Sequence, residues 1–192
     1  MHLHLSLKQI FPSLLIYFAL IASAMLFDYV LHLFGLVWIG RYFGFIGSSL
    51  VVLSFVYSMK KRKMISWGSA KYLLQAHELL GWVGALMILV HGGVHFNSII
   101  PWLAIFSMFV VVGSGLTGKV LLKEAKVQLQ GKEIELREKK YSGREIEQEL
   151  LSYSAHVDIM KRWRKIHMPL SMIFFALASL HIIVILLLWR WQ

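Results

Sequence analysis

Five stretches of mostly apolar residues, at about 11–34, 38–59, 72–95, 99–122 and 167–189, govern what this 192-residue chain can become. Each reaches the roughly 20 residues that an α-helix needs to cross the hydrocarbon of a bilayer. In that solvent every backbone amide must be satisfied within the protein, which leaves helices or a closed barrel. Apolar runs this long select the helix. The expectation is an all-α integral membrane fold, one five-helix transmembrane domain over residues 1–192. Composition agrees: 58% of residues are hydrophobic and 16% charged, against about 45–50% and about 25% in soluble domains. Disorder and nucleic-acid binding are excluded on the same grounds, and membrane lipid is the first partner expected. The first stretch is too long for a signal peptide and lacks a small-residue cleavage site, so it reads as a retained span.

Lysine and arginine set the expected orientation. Residues 60–71 hold five of them, Lys60, Lys61, Arg62, Lys63 and Lys71, and residues 119–165 hold twelve more. With Lys8, 18 of the 20 fall on one side of the spans, and only Arg41 and Arg190 on the other. By the positive-inside rule the N-terminus is cytoplasmic and the C-terminus lies outside; a bacterial-type inner membrane is the expected setting. The third and fifth spans then run outward in parallel. Residues 123–162 form a charged cytoplasmic loop in this reading, with Gly131 and Gly143 as breaks. The stretch Lys132–Glu149 reads as an amphipathic helix or a solvated face. The loop is either a connector at the headgroups or a docking surface for a partner.

Cysteine is absent, which removes disulfides, Fe–S clusters, zinc-thiolate sites and covalently attached haem. Nine histidines remain, and four of them are spaced alike. His77 and His91 on the third span are 14 residues apart, as are His167 and His181 on the fifth. Fourteen residues make nearly four helical turns, so each pair shares a helix face with its members about 21 Å apart. Parallel spans place His77 level with His167 and His91 level with His181. Ionisable residues inside a membrane are costly and mark function by default. A haem iron accepts one axial imidazole from each of two facing helices, and two such sites would stack here. Gly81 and Gly84 on the third span, and Ser171 and Ala178 on the fifth, either leave room for a flat macrocycle or allow close helix packing. His95, one turn beyond His91, is the alternative outer ligand; His91 is preferred because its spacing recurs on the fifth span.

His77-Glu-Leu-Leu-Gly81 followed by His91, with Trp163-Arg-Lys-Ile-His167 and His181, resembles the ferric-reductase-like transmembrane superfamily over about residues 72–190. That group includes ferric reductases, NADPH oxidases and the haem subunit of periplasmic methionine-sulfoxide reductase. The same framework is shared with dihaem cytochromes b more widely. The resemblance implies two non-covalent b-type haems, the inner held by His77 and His167, the outer by His91 and His181. It also implies electron transport across the membrane. No flavin or nicotinamide domain, Gly-rich fingerprint or sixth span follows the fifth. The chain is therefore expected to need a separate electron donor, a quinol or a dehydrogenase, and a separate acceptor, as a subunit of a redox complex.

Around these sites, Arg164 with Arg162, Lys165, Lys71 and Lys119 stands where inner propionates would emerge, although the positive-inside bias alone would put basic residues there. Arg41 and Arg190 are the outer counterparts. Asp28 and His32, four residues apart on the first span, form either a mutual ion pair or a proton acceptor for a quinone site. Trp38, Trp102, Trp163, Trp189 and Trp191 read as interfacial belt residues. His2, His4 and His156 lie outside the spans. Two other classes remain open: a membrane anchor or assembly subunit with structural histidines, and a histidine-lined proton or metal transporter.

Overall fold

A computed structural model describes residues 7–93 and 98–188, and among them the chain is built from helices without a strand. Six helices follow in order: α1 (Leu7–Leu33), α2 (Val37–Ser54), α3 (Val56–Lys61), α4 (Ala70–Gly92), α5 (Ile99–Glu138) and α6 (Gly143–Leu188). Five segments are long and apolar enough to cross a membrane: Leu14–Leu33, Val37–Lys61, Ala70–Gly92, Ile99–Val120 and Lys165–Leu188. Large apolar side chains such as Phe18, Phe27 and Leu187 stand exposed along them. In water such a surface would drive aggregation; in lipid it is the solvated face. His95, Arg190, Trp189 and Trp191 lie outside the described residues, as do His2 and His4; Arg164, Arg162, Trp163 and His156 lie on α6 among side chains that are not described.

Apolar side chains gain little by leaving lipid for protein, so small residues and close backbone approach decide which helices pair. α2 packs on α4 and α5 packs on α6, giving two helix pairs, with α1 laid across both. The α2–α4 contact is built on glycine. A Cβ at Gly47 would come 2.9 Å from the Gly84 carbonyl oxygen, and one at Gly84 would come 2.8 Å from Val51 Cγ2. α1 is tied to α5 by the Tyr17 hydroxyl, which donates to the Phe109 carbonyl at 3.0 Å. Leu20 of α1, Ala85 of α4, Met108 of α5 and Phe174 of α6 meet in a buried cluster where the two pairs adjoin. Ala24, Leu31 and Val90 form a second cluster nearer the α1 C-terminus.

The span from Val37 to Lys61 is interrupted at Phe55, which ends α2 and starts α3. The Phe55 amide bonds back to Val52 at 3.0 Å, a tightened last turn. α3 ends in Lys63 with φ 60°, its amide on Lys60 and the Met64 amide on Met59, which is a Schellman closure.

The charged segment is helical, which corrects the loop expected over 123–162. α5 continues beyond Val120 to Glu138, about 27 Å further, and α6 begins well before Lys165, so the two form an antiparallel hairpin. Gly131 does not break α5; a Cβ there would meet nothing within 4 Å, and one exposed glycine costs a helix only about 1 kcal/mol. Glu133 pairs with Arg137, and Glu135 with Lys132 and Lys139, at helical spacing. The turn is closed by Lys140 at φ 56°, with Tyr141 N–H bonding the Leu136 carbonyl and Lys140 N–H the Arg137 carbonyl. A capping box then opens α6: Ser142 N–H donates to Glu145 at 2.8 Å and Glu145 N–H to Ser142 Oγ at 3.4 Å.

These bonds to Ser142 hold the Glu145 carboxyl below the usual carboxylate range, and Lys139 and Lys132 do the same for Glu135. A lowered folded-state value means stabilisation that is present at neutral pH and lost as the pH falls below about 4. Ser142→Ala is expected to destabilise the start of α6 by about 1 kcal/mol. Faster amide exchange confined to the hairpin tip would show it, with the spans unchanged.

Candidate functional site

α4 and α6 are held apart. Among the described residues no Cα of one comes within 8 Å of the other. The separation follows from the pairing: α4 is committed to α2 and α6 to α5, and Phe174 and Ala85 meet between them in the cluster with Leu20 and Met108. Histidines from the two pairs meet across this seam.

The His77 and His167 rings face each other with centroids 6.4 Å apart and planes at 90°. Two metal–imidazole bonds of about 2 Å, plus about 1 Å from each ring nitrogen to its centroid, separate axial imidazoles by about 6 Å. Each ring is oriented through Nδ1. On His77 the Nδ1–H donates to the Ser54 carbonyl at 3.0 Å. Ser54 is the last residue of α2, where the break at Phe55 leaves carbonyls without a continuing helix. On His167, Nδ1 lies 2.8 Å from Ser114 Oγ of α5. A Cβ at Gly115 would sit 3.4 Å from the His167 Cε1, so the α5 surface is low where the ring rests. Tyr57 lies beside His77 at a centroid distance of 5.6 Å. With Nδ1 used on both rings, Nε2 is the nitrogen left to bind.

At the second level the histidine of α4 is held in the same way. His91 Nδ1–H donates to the Gly40 carbonyl of α2 at 3.0 Å. The ring reaches that carbonyl because residue 44, one turn on, has no side chain: a Cβ there would come 2.7 Å from His91 Cγ and Nδ1. His181, nearly four turns beyond His167 on α6, is part-buried. Between the levels lies the cluster of Leu20, Ala85, Met108 and Phe174, with Trp82 and Ala178 packed against it. Phe174 stands two turns from each histidine of α6.

The two glycines assigned to the seam divide in role. A Cβ at Gly81 would meet nothing within 4 Å among the described atoms, so the space beside it is open. Gly84 is buried and its space is taken by the α2 backbone, the close-packing reading of small residues. Ser171 is buried and donates to its own helix at the His167 carbonyl, 2.8 Å. Lys119 pairs with Glu78 at 2.5 Å, bracing α5 against α4 next to His77. At the other end of α1, His32 Nδ1 lies 2.9 Å from the Asp28 carbonyl and 3.6 Å from its carboxylate. That is a local, half-exposed pair. Among the described residues no three His, Cys, Asp or Glu side chains gather around one point.

The groups that orient the histidines were not singled out from sequence. Ser54 and Gly40 contribute carbonyls, which any residue carries. Gly44 and Gly47 with Gly40 form a small-xxx-small pattern, and Gly113-Ser114-Gly115 a small patch on α5. Those two patterns were the available signal. Comparison with family models, curated proteins and solved structures finds no match for this chain.

Proposed function

We propose that this chain is the dihaem b-type cytochrome subunit of a membrane oxidoreductase. It would carry electrons across a bacterial-type cytoplasmic membrane, with its N-terminus and hairpin in the cytoplasm and its C-terminus outside. The observation that carries this reading is the facing pair His77 and His167, 6.4 Å apart, with Nδ1 of each ring engaged by Ser54 and Ser114. The donors come in twos, one from each helix pair, as axial binding of a planar macrocycle requires. His77 and His167 would hold the inner haem, and His91 and His181 the outer.

Bound there, haem iron supplies one-electron chemistry by cycling between its ferric and ferrous forms. The protein's own part is to orient, insulate and charge the site. Carbonyl and hydroxyl acceptors on Nδ1 fix the ring orientation and raise the basicity of Nε2. Leu20, Ala85, Met108 and Phe174 keep water out between the levels. Lys71, Lys119 and Lys165 place positive charge at the inner end, suited to carboxylates. The donor would be a quinol or a dehydrogenase, and the acceptor a separate redox protein, or the reverse.

Reconstitution into liposomes tests this directly. With dithionite outside and ferricyanide trapped inside, the haem-loaded chain is expected to reduce the trapped ferricyanide at least about tenfold faster than protein-free vesicles. A rate equal to the leak, from a colourless preparation, would favour an anchor or assembly subunit. Proton or metal flux without haem absorbance would favour a transporter.

A further inference from the structure

α5 carries no histidine in its span, yet it touches the inner level at two successive residues, Ser114 and Gly115. Ser114 Oγ donates its proton to the Val111 carbonyl of its own helix at 2.8 Å. With that proton engaged, the hydroxyl meets His167 Nδ1, also at 2.8 Å, as an acceptor. The hydroxyl therefore calls for a proton on Nδ1 and a lone pair on Nε2. Gly115, one turn beyond Val111, keeps that stretch of α5 low enough for the ring to approach. The arrangement matches the outer level, where Gly44 lets His91 reach the Gly40 carbonyl one turn earlier. The difference is that a side-chain hydroxyl is interposed on α5.

We infer that Ser114 is a positioning residue that selects the Nδ1–H tautomer of His167 and thereby presents Nε2 as the inner axial ligand. The haem part of this statement rests on the proposed function; the tautomer part does not. Ser114 is 7% exposed, so its hydroxyl has little water to turn to. An acceptor on Nδ1–H makes the imidazole a stronger donor at Nε2, and losing such a partner weakens metal binding by about 10–100-fold. A weaker imidazole donor also favours the ferrous form, so the inner potential should rise.

The test uses the full chain in detergent, labelled with 15N-histidine, as wild type, Ser114→Ala and Ser107→Ala. Ser107 is the control because its hydroxyl donates to the Ala104 carbonyl of the same helix, at 2.8 Å, in the way Ser114 does to Val111. Before haem is added, and at a pH where the imidazoles are neutral, wild type and Ser107→Ala should show His167 with its proton on Nδ1. Ser114→Ala should show mixed tautomers. On haem titration, Ser114→Ala should bind the inner haem about 10–100-fold more weakly and at a raised potential, with the outer haem unchanged. An unchanged His167 tautomer in Ser114→Ala, or an equal effect of Ser107→Ala, overturns the inference. If wild type binds no haem, the dihaem reading falls, and the tautomer comparison still decides the role of Ser114.

Discussion

Replacing His77 or His167 by alanine is expected to remove one and the same haem, and replacing His91 or His181 to remove the other. The prediction comes from the pairing of histidines across the seam: among the described residues an inner site that loses one imidazole has no neighbouring donor to take over, and at the outer level a haem kept in His91→Ala would point to His95 as its ligand. Each single variant should retain about one haem where wild type holds two, a loss of half the absorbance. The discriminating result is the double variant. His77→Ala with His167→Ala should cost no more haem than either alone, because both act on one site and their effects are not additive. His77→Ala with His181→Ala should leave none. Haem content by pyridine haemochrome, read against protein concentration, gives all of these numbers. Equal haem in wild type and in His77→Ala would refute the inner pair.

The second large effect lies one helix away from any ligand. Gly44→Val should abolish the outer site while leaving the inner one filled. A Cβ at residue 44 would stand 2.7–2.8 Å from Cγ, Nδ1 and Cε1 of His91, well inside contact distance, and valine adds two methyls beyond it. The ring cannot swing clear and keep its 3.0 Å bond to the Gly40 carbonyl. Either His91 turns away from the seam or α2 moves off α4, and overpacking of this kind costs about 1–3 kcal/mol. Gly131→Ala is the matched control. It lies in α5 with nothing within 4 Å of the added carbon, so haem content should be unchanged and the helix slightly stabilised. Retention of the outer haem in Gly44→Val would show that His91 does not need the Gly40 carbonyl.

Much of the architecture was legible in the sequence because a bilayer admits few solutions. Five apolar runs became five helical segments long and apolar enough to cross a membrane, with ends shifted by a few residues. The charged segment was misjudged in part: its helix was one of two readings, and of the two breaks expected the one at Gly131 is absent while the one at Gly143 falls where α6 begins. The actual reversal is at Lys139–Ser142, where Lys140 takes the left-handed conformation that glycine usually fills. Glu133 with Arg137, and Glu135 with Lys139, were the signs of a continuous helix there. The interruption at Phe55 has no glycine or proline to announce it, because it arises where α2 and α3 meet α4. It is also what leaves the Ser54 carbonyl for His77.

The histidine ladder was visible as a spacing, and what orients it was not. Acceptors for His77 and His91 are backbone carbonyls, invisible to any reading by residue type. Gly44 and Ser114 were visible as small residues but sit on α2 and α5, away from the histidine helices where spacing drew attention. Gly84, taken from that stripe, turns out to pack against α2. A helix face defined by period alone covers both the seam and the neighbouring helix, and only the three-dimensional pairing divides them.

Haem counted per polypeptide in the purified wild-type chain bears most directly on whether α4 and α6 grip two macrocycles. Two non-covalent b-type haems per chain, both low-spin by electron paramagnetic resonance as bis-imidazole ligation demands, is the predicted result. A chain that is folded and helical but takes up no haem, or holds it high-spin, would contradict it.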